Sequence, residues 1–389
     1  MEKAPIKKFA MEARRKLIDD VRSQLGRYGI TANGILDPHT VTENELIIDL
    51  GNGSSQRVSG KQAIAQYRNL VAKAREFFTA DKPQQAIDNF CEEWAYTWFN
   101  RLIAIRFMEV NRYIPVRVLS SEIAGQNVPD LVKSPFSGDL EFTADEKQHI
   151  YALQDANDKE DDIFRFVFFK QCNDLNRILP RLFENLDSGD SFSELLVVLS
   201  FNDPNGVVYR LVNEIDEKWF NIYSVDENGK PVGQVQIMGW MYQYYNTDMN
   251  DLVYDGSMSK SRLEKELVPA ATTIYTPDWA AHYMVENSLG RLWSEGHPYF
   301  DKTEWKYYLD EAPQEPQIEQ QLEKIRTQYA KLEPYQIKVI DPCMGSGHIL
   351  CYLFDVLMQI YLDGGYSKRE AVRSILENNL FGLDISKRA

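Results

Sequence analysis

Histidine and cysteine are scarce in this chain of 389 residues. The five histidines (His39, His149, His282, His297, His348) are scattered without ligand spacing, which excludes a histidine-built metal hydrolase. The four cysteines (Cys91, Cys172, Cys343, Cys351) have no zinc spacing and stand in apolar contexts. They read as reduced core thiols of a cytoplasmic protein. No run of about 18 apolar residues exists, so no membrane contact is expected. The N-terminus has no apolar signal core. Positive charge is also in deficit. A net charge of −15 disfavours the whole chain as a duplex-wrapping surface, because phosphate binding needs clustered Lys and Arg. Residues 1–30 are the exception, with eight Lys/Arg against four Asp/Glu. Acidic residues concentrate at 139–162 and 301–319. Internal repeats and long low-complexity tracts are lacking, and so is any Pro-Pro pair.

What is present begins with a helical rhythm. Phe9, Ala13, Leu17, Val21 and Leu25 recur every four residues, with Arg14, Arg15, Lys16 and Arg22 between them. This predicts a basic amphipathic helix, either packed on the next domain or serving as a DNA-facing or partner-facing arm. Residues 46–58 read as a small β-hairpin around Gly51 and Gly53. Pro83 opens a long helix with Ile87, Phe90, Trp94, Trp98, Leu102, Ile105 and Met108 as its apolar stripe. Further helices are predicted at 143–155, 161–177, 179–187 and around 192–199. Val207–Val212 reads as a strand or as a buried helix turn. The segments 219–223 and 232–237 flank either a turn between strands or a loop between helices. The aromatic block Gly239–Tyr245 is expected to pack between the two halves of the chain. The division predicted is a mainly helical domain with small β elements over 1–245, a connector over 246–270 and a second domain over 271–389. Residues 296–334, with a charged helix around 317–331, read as an insertion in the second domain.

The chemistry concentrates near the C-terminus. Ile337, Val339 and Ile340 form a short β-branched run, and Asp341 and Pro342 close it. Gly345 and Gly347 let the backbone turn sharply and approach a ligand. From Ser346 onward, Ile349, Leu350, Leu353, Phe354, Leu357 and Ile360 fall at helical spacing. A glycine loop between a strand and a helix N-terminus suits polar or anionic groups. No Gly-Lys-Ser/Thr follows, so it is not a nucleoside-triphosphate loop, and it is not Gly-x-Gly-x-x-Gly either. A second helix is predicted over about 367–377. Leu380–Ile385 reads as a second strand ending at Asp384, whose carboxylate can accept both ribose hydroxyl hydrogens. Upstream, Thr276 is a good N-cap and Pro277 a good first helical residue, with Ala280, Met284, Val285 and Leu289 on one apolar face.

The Asp-Pro-x-x-Gly-Ser-Gly stretch resembles the first motif of S-adenosylmethionine-dependent amino-methyltransferases acting on DNA. In those enzymes the acidic residue and glycines hold the methionine half of the cofactor. A Tyr/Phe-Thr-Pro turn such as Tyr275-Thr276-Pro277 closes over the methionine end. Trp98–Pro115 and Ile237–Asn246, with these two motifs, resemble the PglX family, the adenine-specific DNA methyltransferases of BREX phage-defence systems. The resemblance covers the whole chain as an N-terminal portion of a longer protein. It implies N6-adenine methylation of host double-stranded DNA and contact with other BREX defence proteins. The fold it implies is mixed: a largely α-helical N-terminal domain, then the start of an α/β Rossmann-like methyltransferase domain. Cofactor-binding residues would be Tyr275, Thr276, Pro277, Asp341, Pro342, Cys343, Gly345, Ser346, Gly347 and Asp384, with no metal. The family also needs an Asn/Asp-Pro-Pro-Tyr/Phe motif that receives a flipped base. With no Pro-Pro pair here, that motif is expected beyond Ala389, and the stretch alone is expected to be inactive. The rival reading is a non-catalytic cofactor-sensing or assembly module of a defence complex.

Overall fold

The four-residue rhythm of the N-terminus folds as helix α1 (Ala4–Arg27), with Ile6, Phe9, Ala13, Leu17, Val21 and Leu25 buried. The structure is a computed structural model that describes residues 4–51, 53–78, 82–186, 191–229, 232–233, 235–248, 251 and 276–385. It is a mixed fold, mostly helical with a few small sheets, and it divides into compact units of Met1–Tyr245 and Asn246–Ala389.

In the first unit α1 is followed by two short strands, β1 (Ile30–Thr31) and β2 (Gly34–Ile35). Next comes an antiparallel sheet of β3 (Thr40–Val41), β4 (Glu45–Gly51) and β5 (Ser54–Ser59), in that spatial order. The hairpin read from residues 46–58 is therefore β4–β5, with Leu46 opposite Val58 and both buried. Helix α2 (Lys61–Phe77) covers this sheet with Ile64 and Tyr67. Helix α3 (Pro83–Val110) starts on Pro83, as expected. It buries more than one stripe: Ala95, Tyr96, Phe99 and Ala104 are enclosed as fully as Trp98 and Leu102. A helix buried on more than one side belongs at the centre of its unit.

Arg14, Lys16 and Arg22 of α1 are engaged by carboxylates of their own unit. Arg14 makes a two-pronged pair with Glu92 of α3 at 3.1 and 2.6 Å, and its guanidinium lies over Tyr245. Lys16 pairs with Asp20, and Arg22 with Asp88. Of the two readings of this helix, the packed one agrees with these pairings and with its buried apolar face. Sequence could not show this, because the partner carboxylates of Arg14 and Arg22 stand on α3.

The remaining helices of this unit are α4 (Asp130–Lys133), α5 (Ala144–Asp155), α6 (Glu160–Asn176), α7 (Val207–Asn213) and α8 (Ile237–Tyr245). Helix α5 starts on a Thr143–Glu146 capping box. The helix expected at 179–187 is absent over its described residues, which form turns, and 193–196 is a single 3-10 turn. Val207–Val212 resolves as helix, with Val207, Val208 and Leu211 buried. The segments around 219 and 235 are turns. Helix α8 packs on the first unit's own helices: Tyr245 is fully buried, its ring 4.7 Å from that of Phe99. Cys91 and Cys172 are buried, and burial pushes their thiols up to about 11 and about 12. Cys343 and Cys351 are exposed, which corrects their reading as core thiols. No helix among the described residues is long and apolar enough to cross a membrane. Most of the expected connector lies outside the described residues.

In the second unit, helix α9 (Asp278–Val285) passes through a π-helical turn (Glu286–Gly290) into α10 (Arg291–Gly296). The charged helix of the 296–334 segment is α11 (Pro316–Tyr329), which buries none of its residues. Then follow β6 (Val339–Asp341), α12 (His348–Asp363), α13 (Lys368–Ser374) and β7 (Leu380–Gly382). Strands β6 and β7 pair in parallel, Ile340 opposite Phe381. A parallel pair needs a long crossover, and α12 with α13 supplies it. The core beneath is built from Val285, Leu289 and Trp293 against Leu353, Leu357 and Ile360.

Asn379 locks the entry to β7. Its side-chain amide donates to the carbonyls of Pro334 and Ile337 at 2.7 and 2.8 Å, and its oxygen accepts from the Tyr361 hydroxyl. Asn379→Ala leaves these buried groups without partners and is expected to cost about 2 to 3 kcal/mol of stability. Urea denaturation checks this; a loss below about 1 kcal/mol would show that water replaces the amide at no cost.

Candidate functional site

The site forms where β6 ends. Gly345 and Gly347 have φ of 51° and 82°, a region that only glycine enters at no steric cost. An ideal Cβ on either would meet nothing within 4 Å, so the loop backbone borders open space. The turn is closed by hydrogen bonds from Met344 N–H to Leu383 C=O at 2.9 Å and from Gly347 N–H to Met344 C=O at 2.8 Å. Gly347 also caps α12, whose first turn therefore opens directly on the loop. The helix starts at His348, two residues after Ser346.

Two carboxylates frame the loop. Asp341 is buried; its Oδ1 accepts from Cys343 N–H at 3.0 Å, while its Oδ2 has no hydrogen-bond partner among the described residues. A buried carboxylate oxygen left unmet is costly, and an N–H or ammonium donor of a ligand would satisfy it. Asp384 follows β7, and its Oδ2 accepts from Gly345 N–H at 2.9 Å. The two acidic residues picked from sequence, 43 positions apart, are thus brought to one loop. Pro342, Cys343 and Ser346 lie on the exposed rim of the same loop. Ligand sites of parallel sheets lie at the C-terminal ends of the strands, where this loop stands.

The Thr-Pro turn is brought to the same place. Asp278, the first residue of α9, has its Oδ1 3.8 Å from Nε2 of His348, the first residue of α12. Helix α9 is capped by Pro277 without a side-chain bond, so Thr276 stands one residue outside the cap expected of it. Tyr275 lies outside the described residues. The apolar face of α9 is also corrected: Ala281, Val285 and Leu289 are buried, while Met284 is exposed. Sequence reading assigned Asp278, His282 and Glu286 no role, although their four-residue spacing puts them on one helix face.

His348 is the first residue of α12, and only 8% of its side chain is exposed. Burial holds its imidazole below the ordinary 6.5, and nearby His282 acts in the same direction, against the opposing pull of the Asp278 carboxylate. The unfolded chain therefore binds this proton more readily than the folded one. The neutral ring's contribution to stability is complete above pH 6.5 and is lost as pH falls from there through the folded value. The stability advantage of the wild type over His348→Gln is expected to shrink between about pH 7 and about pH 5. Thermal denaturation across that range tests it, and a flat difference would contradict it.

A glycine-rich loop between a parallel strand and a helix, flanked by two carboxylates and a Thr-Pro helix start, has donors and acceptors suited to a small polar ligand. Over its whole length the chain is a relative of adenine-specific methyltransferases. It is 41% identical, over 406 aligned positions, to the adenine-specific methyltransferase PglX of Lacticaseibacillus casei (strain Zhang). It is 33% identical over 400 positions to the adenine-specific methyltransferase BrxX of Escherichia coli O9:H4 (strain HS). These alignments take in 100% and 99% of this chain but 32% and 29% of the two proteins. The chain thus spans about a third of the length of the curated relatives it matches. No family model matches it.

Proposed function

We propose that the second unit begins a Rossmann-like domain that binds S-adenosylmethionine, and that the native protein methylates adenine N6 in double-stranded DNA as part of a BREX-type phage defence. The observation that carries this reading is the glycine loop, with the unmet buried oxygen of Asp341 on one side and Asp384 on the other. Similarity along the whole of this chain to about a third of two adenine-specific methyltransferases supports it. So do Ile340 and Phe381, paired across the strands and 58% and 46% exposed, since a wider sheet covered on both faces would bury them.

Asp341 and the backbone of Gly345 and Gly347 would hold the methionine half, and Asp384 the ribose. Thr276 and Pro277 would close on the methionine end, with Tyr275 beside them. Pro342, Cys343 and Ser346 would line the rim. When bound, the cofactor supplies an electrophilic methyl group. The chain's own residues orient the cofactor, and none of them is assigned to receive the base, because no Asn/Asp-Pro-Pro-aromatic motif is present. This stretch alone would therefore be inactive. The direct assay incubates the native protein and its defence partners with DNA and tritiated cofactor, followed by mass spectrometry of nucleosides. N6-methyladenine is the expected product. Cofactor binding without any transfer would favour a cofactor-sensing module instead.

A further inference from the structure

Helices α9 and α12 are joined by polar rungs that the cofactor reading leaves unused. Glu286 is fully buried where α9 enters the π-helical turn. Its Oε1 accepts from the Tyr352 hydroxyl at 2.8 Å, and its Oε2 from the Tyr307 backbone N–H at 2.6 Å. His282, one turn earlier, lies flat on the Tyr352 ring, with centroids 3.6 Å apart and planes 6° from parallel. The contact of Asp278 with His348 forms the next rung toward the N-termini. Residues 278, 282 and 286 of one helix thus meet 348 and 352 of the other in matching order. The two helices start side by side, the Thr-Pro turn next to the glycine loop.

Apolar side chains alone would hold two helices together and would spare the cost of burying a carboxylate. They would also allow sliding, because apolar contact is not directional. Hydrogen bonds to a buried carboxylate fix both distance and direction. A π-helical turn is itself a local irregularity that recurs at functional sites.

We propose that Glu286 and Tyr352 are positioning residues. They set the register of α9 on α12, and through it the height of the Thr276–Pro277 turn above the glycine loop, so that the turn closes on the methionine half of the cofactor. This rests on the cofactor reading of that loop.

The test uses the native protein and two ligands, S-adenosylmethionine and 5′-deoxy-5′-methylthioadenosine, which lacks the amino-acid half. Tyr352→Phe removes one oxygen and keeps the ring stacked on His282. The Kd for S-adenosylmethionine is expected to rise about tenfold, while that for methylthioadenosine stays within about twofold. Glu286→Leu should give the same split where it folds. Unchanged binding of S-adenosylmethionine by a folded Tyr352→Phe protein would overturn the proposal. Equal weakening of both ligands would also overturn it, since general loosening has no preference for the methionine half. Asp341→Ala in parallel separates the two ideas. If the wild type binds neither ligand, or Asp341→Ala binds both as the wild type does, the cofactor reading itself fails, and the positioning role with it.

Discussion

Valine at position 347 is expected to weaken S-adenosylmethionine binding by about ten- to a hundredfold in the native protein, with the fold retained. Gly347 has φ of 82°, and a β-branched residue held there costs roughly 1 to 3 kcal/mol. The loop can relax by leaving that conformation, because nothing within 4 Å would obstruct the new Cβ. The relaxed loop no longer forms the cradle, and binding must restore the strained one. The strain therefore emerges as lost affinity, not as unfolding. Calorimetric titration with circular dichroism on the same sample checks both halves. Wild-type affinity in a folded Gly347→Val protein would remove the loop from the site.

Glu109→Ala is expected to destabilise the first unit by about 3 to 5 kcal/mol. This carboxylate is wholly buried and fully bonded. It accepts from Arg106 at 2.6 Å, from the Ser120 hydroxyl at 2.9 Å and from the backbone N–H groups of Val118 and Leu119 at 2.9 and 2.8 Å. Arg106 is 2% exposed and, once Glu109 is gone, keeps the Ser120 hydroxyl at 2.8 Å and a longer contact with the Glu217 carboxylate at 3.3 Å. Alanine would leave a buried guanidinium short of its closest partner and two amides unmet. Thermal denaturation should show the first transition far below that of the wild type. A shift worth less than about 1 kcal/mol would mean that water enters and replaces the carboxylate.

Much of the second unit was legible because its signals are local. The β-branched run, the two glycines and the apolar residues at helical spacing lie within 25 positions, and β6, the loop and α12 follow them. Asp384 was found from a strand-end argument, although its bond to Gly345 N–H was not foreseen. The short apolar segments between 207 and 237 stayed ambiguous, because four to eight apolar residues fit a strand or a helix turn equally well. The Glu286–Tyr352 rung was missed because its members lie 66 positions apart, and only the packing of two helices makes them neighbours. The partner of Arg14 was invisible for the same reason, since its charge is answered by Glu92, 78 positions away.

We propose S-adenosylmethionine as the ligand of the loop after β6. Ultraviolet cross-linking of the native protein with methyl-tritiated cofactor, followed by peptide mapping, tests it most directly. The label is expected on peptides containing 338–350 or 276–284 and should disappear in Asp341→Ala. Label confined to other peptides, or unchanged labelling of Asp341→Ala, would contradict the account.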